Sequence, residues 1–353
     1  MRFNILSDLY KDAWGGGNQF QKALKNYFIS NFTYSYDVKA ADVILVNSHH
    51  WGKKLFELYL IKKKYPNVII LHRVDGPISI VRNNNKEIVI DLAIMHFNKF
   101  FADGTIYQSI WSQDNCLEQG MGFKKMSKVI YNAPDPEIFF KTTETFRNNK
   151  IHIIAASWST NKSKGFDIYK FIDDNLDFSN YSFTFIGNSP IKFNNIKQKP
   201  AMSSDLLAEE FRRADLFLHP SHREACSNSL IEAMHCGLIP IAMNNTSHPE
   251  IIEYGGLLFE GVEDVLKIID KASNELDDLH KKLNPPKIEK VGSMYFDFAK
   301  IISKQENNIL TTPNWRDLLF VWTYYQIMKQ KLRFYAYSAK LIIFLKGNMR
   351  LNK

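Results

Sequence analysis

Short, uninterrupted apolar runs that end on polar or charged tips constrain this 353-residue chain more than any other feature. "ADVILVNSHHW" and "NVIILHRVDGP" are of this kind, the first ending on Ser48, His49 and His50 and the second on His72, Arg73 and Asp75. A half-exposed strand alternates apolar with polar residues, whereas a strand buried on both faces of a parallel sheet reads as one continuous run. "MRFNILSD" leads through glycines 15–17 into helical spacing at Phe20, Ala23, Leu24, Tyr27 and Phe28, and "GTIYQSIWSQDNCLEQ" and "SKVIYNAPDPEIF" keep the alternation going. The first part of the chain therefore reads as β/α repeats around a parallel sheet.

The polar stretch "TTETFRNNK" (142–150) interrupts this rhythm, and a second set begins with "IHIIAASWS", the loop "TNKSKG", "YSFTFIGNSP", "DLLAEEFRRA", "DLFLHPS" and "LIPIAM". From Val265 the spacing is helical. A chain of this length exceeds the usual single core. The expected organisation is α/β, with two doubly wound Rossmann-like domains (1–145 and 146–290) facing a cleft, then a C-terminal helical segment with a basic tail (291–353). Ligands of open α/β sheets bind beyond the carboxyl ends of the strands, where the glycine loops and polar tips of both halves collect.

The net charge of +8 sits at one end: from Pro313 onward eight cations face one acid, Asp317. The tail mixes these cations with aromatics but lacks an RNA-binding signature, so no nucleic-acid partner is expected. The expectation is instead that Trp315–Tyr325 packs on the first domain and residues 329–353 attach to an anionic membrane surface. The opening "RFNILSDLYKD" has no apolar signal core, and no window is long and apolar enough to span a bilayer, which places the protein in the cytoplasm, peripheral to the inner face of the plasma membrane. Cys116, Cys226 and Cys236 form no CxxC and read as reduced thiols.

The stretch "HPSHREACSNSLIEAMHCGLIP" (219–240) sets Glu224 and Glu232 on either side of a small polar run. If a helix starts near Ser227–Ser229, its first N–H groups form an anion site with one acid on each flank. A carboxylate accepts hydrogen bonds from neighbouring hydroxyls, so a diphosphate with an alcohol-bearing group at each end, a nucleotide sugar, suits the arrangement. The alternatives are a capping box, with Ser229 and Glu232 tying back their own helix start, and a solvated loop acid at Glu224.

"LFLHPSHREACSNSLIEAMHCGLIPIAMNNTSHPEIIEYGGLLF" resembles the nucleotide-sugar region of the family 4 retaining glycosyltransferases of GT-B fold, with "GGGNQF", "VIYNAPDPEIF", "SKGFD" and "FIGNSP" in support. The resemblance implies transfer of a sugar from a nucleoside-diphosphate donor to a glycan or glycolipid acceptor with retention of configuration. No cofactor or metal is implied; the donor is a substrate. The first domain would take the acceptor, the second the nucleotide sugar. Glu224 would contact the donor sugar, Glu232 the ribose and Lys164 the diphosphate, near the backbone of Gly15, Gly16 and Gly17 and the helix start at Ser227, Asn228 and Ser229. The family usually has an arginine where this chain has Ser159; Lys162 offers a second charge there without a bidentate grip.

Glu224, His72 and Lys164 are the catalytic candidates, His72 because it follows the strand after which the resemblance implies a histidine near the donor sugar. Neutralising the leaving diphosphate is the largest expected contribution, with front-face attack in which a leaving phosphate oxygen takes the acceptor proton. Arg73 and Asp75 read as an ion pair or as shaping the acceptor side, and His49 and His50 as weaker candidates. His219, His222, Cys226, His235 and Cys236 lack zinc-site spacing, and Asp173–Asp174 and Asp277–Asp278 read as solvated faces. The reading is a glycosyltransferase of envelope polysaccharide or lipopolysaccharide synthesis. The alternatives are a non-catalytic nucleotide-sugar binder and a GT-B-like sugar-nucleotide epimerase.

Overall fold

The computed structural model describes residues 1–7, 9, 16–121, 126–142, 149–304 and 310–350, the last fifteen as backbone only. The apolar runs are strands of two parallel sheets. The first holds β1 (Phe3–Ile5), β2 (Val43–Asn47), β3 (Ile69–Val74), β4 (Gly104–Tyr107) and β5 (Ser127–Val129), paired in that order. The chain at 33–35 pairs with the free edge of β1 through Phe3 N–Thr33 O (2.7 Å) and Ser35 N–Phe3 O (2.8 Å), so the winding reverses at β1. The second sheet holds β6 (Ile151–Ser157), β7 (Tyr181–Gly187), β8 (Lys197–Lys199), β9 (Leu216–His219), β10 (Ile239–Met243) and β11 (Leu257–Phe259). Its order, β11-β10-β9-β6-β7-β8, reverses between β6 and β9. Such reversals open crevices at the carboxyl ends of the strands.

Each sheet is covered on both faces. In the first lobe Phe20, Leu24 and Phe28 of the helix Gly16–Ser30 pack with Val291, Tyr295 and Phe298 of the helix Ile288–Ser303 on one side. On the other side Trp51, Leu58 and Phe97 pack beneath Leu318, Val321 and Met328 of the helix Trp315–Arg350. The chain thus leaves the second lobe and returns to the first, and residues beyond 291 have their buried side chains in first-lobe cores. None of the described helices is long and apolar enough to cross a membrane.

One acidic pair departs from expectation. Asp173 is fully buried and accepts the backbone N–H groups of Asn194, Asn195 and Ile196, each at 2.8 Å. It closes the loop before β8, while Asp174 pairs with Lys170 at 2.5 Å. Asp277 and Asp278 are exposed.

Candidate active site

The helix Asn228–His235 is built by its own sequence. Ser227 caps it, its hydroxyl accepting from Leu230 N at 3.4 Å. Leu230, Ile231 and Met234 are buried, each contributing about 1.5–3 kcal/mol by leaving water. Gly237, at φ +95°, ends the run in a conformation that glycine alone adopts easily. With Ser227 as cap, Glu232 lies too far along the helix for a capping box, which needs the acid three residues after the cap. Its carboxyl is free of that task.

This helix start opens on a cavity of about 260 Å³ between the lobes. Gly16 and Gln19 line it from the first lobe; Ser157, Trp158, Ser159, Lys164, His219, Ser221, Glu224, Asn228, Ser229 and Glu232 line it from the second. A cavity of about 450 Å³ adjoins it and shares Gln19, Ser204 and Glu232. The reversal at β1 brings in the glycine loop. The reversal between β6 and β9 brings in the segments carrying Lys164 and Glu224.

Lys164 and Glu224 form an ion pair through the lysine ammonium and Oε1. Ser221 Oγ donates to the same oxygen at 2.9 Å, and His219 Nε2 lies 3.8 Å from it. Burial opposes the carboxylate, but Lys164 and then His219 outweigh it, and the Glu224 carboxyl is held down at about 2. The backbone around Glu224 is pinned by Thr246 Oγ1 (3.2 Å from its N) and by Ser247 Oγ donating to its carbonyl (2.9 Å). Glu232 differs in kind. Burial alone acts on it and pushes its carboxyl up to about 7.

Gly165 stands at φ +75°, where an added Cβ would fall 2.2 Å from Pro220 O. This close approach brings Lys164 beside the β9 loop. Gly16 is as tightly confined: its Cβ would fall 2.4 Å from Asn228 Cβ, so the glycine loop and the helix start touch. Gly17 is not confined, since a Cβ there meets open space; the steric need for glycine stops at Gly16. Gly15 lies outside the described residues.

Four other expected residues fall elsewhere. His72 is fully buried, its Nε2 bonded to Ser48 O at 2.8 Å and its Nδ1 to Asn98 Nδ2 at 3.1 Å, and burial lowers it to about 4. Strand alternation turns it into the core beside Phe97, so it is a neutral structural histidine and not a sugar contact. Lys162 is exposed and does not line the cavity. It shares a one-turn 3₁₀ helix with Lys164, and residues two apart on such a turn face different ways. His49 and His50 stack on each other at 4.6 Å, away from the cavity lining.

Arg73, the neighbour that alternation turns the other way, is also fully buried. Its guanidinium donates to Asn47 (2.5 Å), Asp75 (2.6 Å), Gln108 (2.5 Å) and Asn132 (2.8 Å), and Asn132 donates in turn to Asn228 Oδ1 at 3.0 Å. A cation of the first lobe is thereby tied to the helix start of the second. Neither Asn132 nor Asn228 could be paired from sequence; "VIYNAPDPEIF" was the available signal for Asn132.

Glu250 makes the other bridge. Its carboxylate accepts Ile110 N (2.7 Å), Trp111 N (2.8 Å) and the Tyr131 hydroxyl (2.7 Å), capping a first-lobe helix from the second lobe. Glu250→Ala is expected to lower stability by about 1–3 kcal/mol, the cost of unsatisfied donors, measured by urea unfolding against Glu250→Gln, which keeps one acceptor.

The zinc candidates are engaged separately: His219 with Ser227 Oγ (3.0 Å), His222 near Asp167 (3.7 Å), and His235 with Pro286 O (3.0 Å). Among the described residues no group of three or more His, Cys, Asp or Glu is arranged to hold a metal ion.

Comparison with known proteins agrees with this architecture. Residues 193–284, which contain Glu224 and Glu232, match the family "Glycosyl transferases group 1". An uncharacterized 41.2 kDa protein in the cps region of Klebsiella pneumoniae is 28% identical over 249 residues, covering 65% of this chain and 68% of that one. An alpha-glucosyltransferase solved with UDP and DNA containing an HMU base has a TM-score of 0.60 at 12% identity, over 85% of this chain and 99% of that one. Anabaena HepE in complex with UDP gives 0.55 at 14% identity, over 81% and 80%. Sucrose-phosphate synthase from Thermosynechococcus elongatus gives 0.53 at 14% identity, over 91% and 79%. The fold is therefore GT-B, two Rossmann-like units across a cleft, and the motifs read as family 4 fall in a region similar to the broader group 1 glycosyltransferases.

Proposed function

We propose that the protein is a retaining glycosyltransferase that moves a sugar from a nucleoside-diphosphate donor to a hydroxyl of a glycan or glycolipid, in the synthesis of a cell-envelope polysaccharide such as capsule or lipopolysaccharide. One observation carries this reading: a capped helix start, an ion-paired lysine and two carboxyls of opposite electrostatic character converge on one cavity between the lobes. The helix start and Lys164 take the diphosphate, Glu224 the hydroxyls of the transferred sugar, and Glu232 the ribose. The UDP complex of HepE and the cps-region setting of the Klebsiella relative support the donor class and the pathway.

In the chemical step the bond between the anomeric carbon and a diphosphate oxygen breaks, and the acceptor oxygen attacks from the same face. Its proton passes to the departing oxygen. Lys164 and the helix amides hold the growing negative charge in place, so the reading needs no metal ion for this role. Residues 329–353 attach the enzyme to an anionic membrane surface from the cytoplasmic side.

The test incubates the protein with UDP-, GDP- and ADP-sugars without acceptor. Slow release of one nucleoside diphosphate is expected. An altered sugar still on its nucleotide would point to an epimerase. Tight binding with no release would point to a non-catalytic binder, the outcome favoured by Ser159 lining the cavity where the family usually places an arginine.

A further inference from the structure

The outer surface of the first lobe carries a feature that the cleft does not use. Leu318, Val321 and Met328 face inward from the helix Trp315–Arg350. Tyr325 lies 5.5 Å from Trp51, Phe320 and Tyr324 lie 4.8 and 4.0 Å from His96, and the Lys86 ammonium is 5.1 Å from the Tyr335 ring. The helix therefore runs antiparallel to the helix Ile88–Phe101, with the helix Leu55–Lys64 on its other flank.

What it turns outward is apolar. Trp315 is 61% exposed, Trp322 47% and Phe334 70%, with Leu319 and Ile327 between them. Phe56 (62%) and Leu60 extend the patch on one flank, Ile88 and Leu92 on the other. Monomeric soluble proteins rarely leave so many large apolar side chains together on one face.

The exposed charge on this face is predominantly positive. Arg316, Lys331 and Arg333 are exposed on the long helix, and Lys53, Lys54, Lys63 and Lys64 beside the helix Leu55–Lys64. The nearby acids are engaged: Asp317 accepts Asn314 N at 2.8 Å, Glu57 lies 3.5 Å from Lys54, and Glu87 lies 2.6 Å from Arg82. After Asp317 the sequence contains no further acid. Exposed tryptophans and aliphatics interleaved with unopposed cations, on helices unable to cross a bilayer, have the composition of a surface that lies in the membrane interface.

We propose that this outer face, residues 315–334 together with Phe56, Leu60, Ile88 and Leu92, docks on an anionic lipid bilayer with the long helix in the interface plane. The inference rests on the membrane part of the reading above and extends it, adding the body of the first lobe to the contact made by the tail. Apolar side chains insert at the boundary between headgroups and acyl chains, and the cations meet the lipid phosphates.

The test is flotation of the full-length protein with phosphatidylcholine vesicles and with mixed phosphatidylcholine–phosphatidylglycerol vesicles. Trp322→Glu/Ile327→Glu removes apolar contact, Arg316→Glu/Arg333→Glu reverses the face charge, and Lys340→Glu/Lys346→Glu/Arg350→Glu reverses the tail alone. Circular dichroism and thermal unfolding check that each variant keeps its fold. The expected result is binding to the mixed vesicles, reduced at least tenfold by each face variant. The charge variant's deficit should shrink as salt rises.

Loss in the tail variant with the face variants unaffected overturns this inference and leaves the tail attachment standing. Loss in none, or no vesicle binding by the parent protein, overturns both. A fall in self-association without a change in flotation would assign the face to a second copy of the chain, and equal loss of binding to duplex DNA would assign it to nucleic acid. Either outcome sinks the lipid assignment.

Discussion

Lys164→Ala should reduce turnover of the donor by roughly 10²–10³-fold, the scale for removing one donor that stabilises charge in a transition state. Among the described residues Lys164 is the cation that lines the cavity within reach of the helix start, and it is committed to Glu224. Two roles follow from that pairing. In one, the lysine serves the carboxylate and keeps it ionised; in the other, it swings to the diphosphate and Glu224 is released to the sugar hydroxyls. A double variant separates them. If Lys164 only balances Glu224, Lys164→Ala/Glu224→Gln should recover much of the single variant's loss. If it holds the leaving group, the double variant should be no better than the single one, with the defect in kcat and not in KM. Recovery would remove Lys164 from the chemical step.

Glu232→Gln should stabilise the protein by about 3 kcal/mol near pH 8 and leave it unchanged near pH 4. The sign follows from burial. The carboxyl is raised from 4.5 to about 7, so the folded protein binds this proton more tightly than the unfolded chain. That advantage is fully present below the unfolded value, shrinks as pH climbs between the two values and is gone above the folded one, where the native state must hold an uncompensated buried carboxylate. The amide avoids that penalty but accepts hydroxyl hydrogen bonds less strongly. Nucleotide affinity should therefore fall as stability rises. Urea unfolding at the two pH values, with calorimetric titration of UDP, GDP and ADP, reads both effects. Equal stability of parent and variant at high pH would mean that a cation reaches Glu232 in solution.

The two parallel sheets and the cleft were legible because a strand buried on both faces cannot hide its apolar run, whereas the points at which the strand order reverses were not. Glu224 and Glu232 were legible too, since they stand close in sequence around a helix start that their own residues build. What could not be read is what depends on rotation about a strand or on pairing across long intervals. His72 and Arg73 are neighbours at one strand tip, and the sequence does not say which faces Phe97 and which faces Asn132. Asp173 looks like a surface acid until the loop at 194–196 folds over it. Lys162 and Lys164 are equivalent in composition, and only the turn they share separates them. Glu250 lies in a motif of the resemblance, but its partners are backbone amides of the other lobe, which carry no sequence signature.

The first sheet is finished by helices that follow the whole second lobe in sequence. Val291, Tyr295 and Phe298 cover one of its faces, and Leu318, Val321 and Met328 seal the helices on the other. During synthesis the amino-terminal half must therefore wait, partly uncovered, while the later half assembles within a continuous stretch of chain. Vectorial order and maturation order are inverted: the lobe whose strands are made first is the one whose cover arrives second.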